Sequence, residues 1–244
     1  MKGFIAIAVV IGALAASSLP SGHASTSATL FSALGSDDFN DKLPGALAAL
    51  PASQRQAFET RLARTKSFHS LLQAPPAAAE FPQEIVFSAQ VRVERAAFVL
   101  TTSGNAARDA ADLARSMRLF YEWEGYPDGP MEEAQSAQKY LDGHPNSSVR
   151  DYVQLLLMHR YRCAFEAAER TIPEARGIVG SDGSEAFAKR NAMAQRDAAA
   201  GYRAAWDRAR KSRDEVARMI ANDIDAASYV YVATAAHPRT FKDK

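Results

Sequence analysis

The chain has 244 residues, with 29 basic and 28 acidic side chains, 47% apolar residues and a single cysteine, Cys163. Nucleic-acid binding draws on dense positive charge, which a formal net charge of +1 does not supply. One cysteine excludes an intramolecular disulfide, so packing alone must hold the fold, and the apolar fraction is sufficient for a core.

After Lys2, the thirteen residues Phe4 to Ala16 are drawn only from Phe, Ile, Ala, Val, Leu and Gly, and a small, polar stretch ends at Gly22-His23-Ala24. A basic start, a short apolar segment and small residues, in that order, predict a secretory signal peptide over residues 1–24. The apolar run is too short to span a hydrocarbon core of about 30 Å, and no later run reaches that length. Cleavage removes Lys2 and no acid, which leaves 28 basic and 28 acidic residues. The expected location is periplasmic or secreted, and the lack of disulfides fits a bacterial periplasm.

Residues 25–50, rich in Ser, Thr and Asp at the start, read as an N-terminal arm or short helices. Residues 51–244 read as a single α-helical domain, with a candidate division near 177–183. A first clear helix is predicted from Ser53 to Leu72, with Ser53 and Gln56 at capping-box spacing and Phe58, Leu62, Phe68 and Leu71 on one stripe. Pro75 and Pro76 end it. Between Gln83 and Thr102, Ile85, Phe87, Ala89, Val91 and Val93 alternate like a strand, while Val86, Ala89, Val93, Ala97 and Leu100 fit a helix. The apolar character outlasts an ordinary strand, which favours helix.

Ser103-Gly104-Asn105 is turn chemistry, and a helix is predicted from Ala106 to Trp123. The loop Gly125 to Pro130 follows, then a helix with Pro130 at its first position and Glu132 and Glu133 in its first turn. It ends near Gly143. Val149 to Thr171 is predicted to be the most buried helix, because Val153, Leu157, Tyr161 and Ala164 form one apolar line and Leu155, His159 and Cys163 another. From Ser184 to Ala236 a stripe from Phe187 to Tyr231 steps by about 3.67 residues, the spacing of a straight helix. One long C-terminal helix is predicted, the alternative being a break at which Ser212 and Glu215 cap a second helix.

The segment Ala134 to Arg162 carries Ala137, Tyr140 and Leu141 before a Pro145-x-Ser147 turn, then Val153, Leu157 and Tyr161. In this it resembles the junction between two tetratricopeptide-type repeats of exported bacterial proteins. The resemblance implies antiparallel helical hairpins and a surface for proteins or peptides. No second copy stands at a 34-residue step, so the expected fold is all-α, built of hairpins in a tetratricopeptide-like stack or an irregular bundle.

Spacings for a phosphate loop, a zinc-protease helix, a calcium loop or a nucleophile elbow are missing from the sequence. His159 and Cys163 stand four apart on one helix face and are the weak candidates for a metal, although a structural zinc site needs four ligands. The competing reading is a buried histidine beside an apolar thiol, and no cofactor is expected. Phe120 to Tyr126 holds four aromatics in seven residues. Tyr121, Trp123 and Tyr126 are the candidate partner-binding residues, since aromatics with polar tips dominate binding hot spots. The competing reading has Phe120 and Trp123 packed inward. The arginines between Arg196 and Arg218, interleaved with acids, read as a solvated helix face.

The expected function is an exported helical binding or scaffold protein, with a protein or peptide partner in the cell envelope. One alternative is an enzyme or metal-dependent protein whose site assembles from distant residues such as His159, Glu122 and Asp128; another is a coiled-coil oligomeriser using the C-terminal stripe. Export predicts that the mature protein begins at or near Ser25. Mass spectrometry of the N-terminus from native cells checks this, and an intact Met1 on cytosolic protein would contradict it.

Overall fold

A computed structural model describes residues 26–36, 39–65, 82–101, 105–120, 122–177, 182–227 and 230. The leader at 1–24, the end of the predicted 53–72 helix, Tyr121 and most of the chain after 227 lie outside the described residues. In chain order the helices are α1 (Thr26–Leu34), α2 (Phe39–Ala48), α3 (Ala52–Thr65), α4 (Pro82–Val99), α5 (Ala106–Ser116), α6 (Asp128–Gly143), α7 (Arg150–Gly177), α8 (Asp182–Ala209) and α9 (Glu215–Ala226). No strand occurs among the described residues. None of these helices is long and apolar enough to cross a membrane.

The fold is all-α and organised around α7, whose Tyr152, Val153, Leu155, Leu156, Leu157 and Met158 are all buried. Six such residues in seven leave no solvent face over two turns, so α7 is wrapped on several sides. It packs most extensively on α8 and next on α6, with α9 and α4 completing the enclosure. The segment near 177–183 therefore joins two helices that lie against each other. The segment that alternated like a strand is helical, and Ala89, Val93, Ala96, Ala97 and Leu100 form its buried face. The N-terminal arm is two short helices. Leu30, Phe31, Ala33 and Leu34 of α1 are buried in the same apolar cluster as α7.

Two boundaries correct the sequence reading. The predicted long C-terminal helix breaks between Ala209 and Glu215. Asp214 is the N-cap of α9, its carboxylate accepting from the Val216 and Ala217 amides, while Ser212 Oγ accepts from the Asp214 amide at 3.0 Å and donates to Asp151 at 2.7 Å. Arg61 of α3 adds an ion pair to Asp214 at 2.7 Å, both side chains nearly buried. This capping overrides the continuous apolar spacing, because it satisfies the first amides of α9 and turns Val216, Ile220 and Ile224 inward. The described part of the C-terminal stripe is buried or half-buried within the monomer.

Second, α5 stops at Ser116 and does not reach Trp123. Met117 is extended, and the amides of Arg118 and Phe120 bond to Ser136 and Glu133 side chains of α6. Tertiary partners replace the helical ones.

The α7–α8 contact depends on Gly201. A Cβ built there would lie 2.5 Å from the Tyr161 ring. Intrinsic propensity favours Ala over Gly in a helix by about 1 kcal/mol, but an added methyl must displace the Tyr161 ring, which is partly buried against the core. Gly201→Ala is expected to destabilise the protein by about 1–3 kcal/mol through overpacking. Chemical denaturation checks this, and a gain in stability would show that Tyr161 moves aside without cost.

Candidate ligand-binding cavity

The extended segment after α5 places Trp123 over the first turn of α6. Glu124 (φ 50°) and Gly125 (φ 80°) both adopt left-handed backbone, and the Tyr126 amide bonds back to the Trp123 carbonyl at 2.9 Å. The turn is tight enough that a Cβ on Gly129 would lie 2.6 Å from the indole. Only glycine admits the ring there.

Glu133, buried on α6, collects three donors. Trp123 Nε1 donates at 2.9 Å, the Phe120 amide at 3.1 Å and Arg160 Nε at 2.6 Å. The Arg160 guanidinium also lies 4.9 Å from the centre of the Trp123 ring, a cation–π contact strengthened by poor solvation. An unpaired charge at this depth would be costly, and these contacts are what make the buried pair tolerable.

Arg160 Nη1 is 2.9 Å from His159 Nδ1. A guanidinium can only donate, so Nδ1 accepts and the imidazole proton sits on Nε2. Burial, reinforced by the Arg160 charge, holds the His159 pKa well below its usual value and keeps the ring neutral. Cys163 Sγ lies 3.6 Å from the same Nδ1. Burial pushes the Cys163 thiol well up, so it stays protonated and packs as an apolar group. The Phe31 ring stands 5.2 Å from His159 and 6.1 Å from Tyr152. Burial raises the Tyr152 phenol to about 12.

Glu133, Tyr152, His159 and Arg160 floor a cavity of about 390 Å³. Its walls come from Phe31 of α1, Ala89, Val93 and Ala96 of α4, Leu119 and Trp123 of the extended segment, and Leu156 of α7. Lys42, Arg92 and Glu122 also line it, Lys42 and Glu122 being exposed. Mostly apolar walls with a few convergent polar groups are the usual composition of a small-ligand site, and this volume lies at the lower end of the usual range.

The candidate aromatics part company. Trp123 is partly buried and lines the cavity. Tyr126 is exposed on another face, edge-on to Phe187 of α8 at 5.8 Å. Tyr121 lies outside the described residues. His159 and Cys163 are adjacent, but no group of three potential metal-binding side chains occurs among the described residues. The Arg160 cation against Nδ1 further opposes a metal there. Of the residues considered for an assembled site, His159 and Glu122 share the cavity, whereas Asp128 faces Arg190 at 3.7 Å in a shallower groove between α6 and α8. Sequence reading missed Arg160, Tyr152 and Phe31 as site residues. Their one available signal was the combination of charge and aromaticity on a helix already expected to be buried.

Comparison with protein-family models, with curated proteins and with solved structures finds no match for this chain.

Proposed function

We propose that this chain is a non-catalytic binding protein of the cell envelope, which docks an apolar small molecule or peptide segment in the cavity between α1, α4 and α7. The observation that carries this reading is a mostly apolar cavity in which Glu133, Arg160 and His159 are tied to one another by hydrogen bonds. Export is supported by the residue order of the leader.

The competing enzyme reading gains from the meeting of His159 and Glu122 in one cavity. General-base chemistry, however, needs a free lone pair within reach of substrate. The His159 lone pair is turned to Arg160 and Cys163, and Glu133 is occupied by three donors. What this arrangement offers a ligand is shape, apolar contact and hydrogen bonding.

N-phenyl-1-naphthylamine, a neutral dye that fluoresces in apolar surroundings, tests the reading. The native protein is expected to enhance its emission saturably at one equivalent. Ala89→Phe, which places a ring in the cavity, is expected to abolish the enhancement with a melting temperature near that of the parent. No saturable binding, or equal binding by a folded Ala89→Phe protein, would overturn the proposal.

A further inference from the structure

We propose that the cavity selects a carboxylate carried on an apolar tail, with Tyr152, His159 and Arg160 holding the head group. This rests on the cavity being the docking site.

Three donors line the floor with capacity unused. The Tyr152 hydroxyl has no hydrogen-bond partner among the described residues, and its raised pKa keeps it protonated. His159 has its proton on Nε2, the nitrogen that Arg160 does not occupy. Arg160 engages Nε with Glu133 and Nη1 with His159, leaving Nη2 without a hydrogen-bond partner among the described residues. The acceptor side is the reverse, since Glu133 already takes Trp123, the Phe120 amide and Arg160.

A group of neighbouring donors with capacity to spare, beside a Glu133 carboxylate that is already filled, is complementary to a group that only accepts. A ligand alcohol or amide would leave part of this donor capacity unfilled. A carboxylate brings two oxygens, about four lone pairs and no donor.

The remaining walls, such as Phe31 and Val93, suit an apolar tail. Both a free fatty acid and a peptide C-terminus with an apolar last residue present this chemistry.

The chain has two tryptophans, so in a Trp206→Phe protein Trp123 alone reports from the cavity. Its fluorescence is titrated with decanoate and decanol, and with a pentapeptide ending in Leu as the free acid and as the amide. At least one acid is expected to bind about ten-fold or more tightly than its neutral counterpart, and the pair that discriminates identifies the source. Tyr152→Phe keeps the ring on Phe31 and removes only the hydroxyl. It is expected to weaken the acid about ten-fold, as for loss of one hydrogen bond to a charged group, and the neutral ligand by less. Calorimetric melting verifies that this variant is folded. If acids and neutral counterparts bind alike, or Tyr152→Phe changes nothing, the head-group assignment fails while the docking site stands. If no ligand binds and N-phenyl-1-naphthylamine also fails, both proposals fall.

Discussion

The carboxylate of Glu133 and the guanidinium of Arg160 meet at 2.6 Å with side chains 3% and 16% exposed, and much of the surrounding geometry follows from how that pair is satisfied. Two charges withdrawn from water are tolerated only when their remaining hydrogen-bonding capacity is filled. Glu133 is filled by an indole and a backbone amide of the segment after α5, so Phe120 and Trp123 are tied to α6 and the indole is drawn over Gly129. Arg160 lies over the same indole and fixes the tautomer of His159. The pair thus joins α6, α7 and the 117–123 segment, and orients the donors on the cavity floor.

Elsewhere the packing turns on a few small or capping side chains. Gly201 lets the Tyr161 ring sit against the α8 backbone, which brings the two longest helices together. Ser212 and Asp214 end one helix and begin the next by linking to Asp151 on α7 and Arg61 on α3. α9 can then lay its apolar face on α1 and α7. Gln154 stands apart: it is buried on α7, and neither end of its amide has a hydrogen-bond partner among the described residues. We have no physical account of it.

Helix content and the central place of α7 were legible because both rest on apolar periodicity, which local sequence carries directly. The break before α9 was only half legible. Ser212 and Glu215 suggested a restart, but the deciding cap was Asp214, whose ion pair with Arg61 is remote in sequence. The early end of α5 was hidden for a similar reason, since its partners Ser136 and Glu133 lie on the next helix. Within the aromatic cluster, it is the Glu124-Gly125 turn that lets Trp123 lie inward and leaves Tyr126 exposed, a separation no local pattern announces. Arg160 was illegible as a site residue because nothing local distinguishes it from any arginine on a helix. Its role comes from Glu133, twenty-seven residues earlier.

The central claim is that Glu133 and Arg160 act as a coupled unit, and a double-mutant cycle tests it most directly. Unfolding free energies are measured for Glu133→Leu, Arg160→Met and the double variant. Breaking a buried pair from one side strands the other charge, so each single substitution is expected to cost about 3–5 kcal/mol. The double variant is expected to cost less than the sum of the two by about 2 kcal/mol or more, within the usual range for residues in direct contact. Additive losses would contradict the account, because they would mean that the two side chains do not depend on each other.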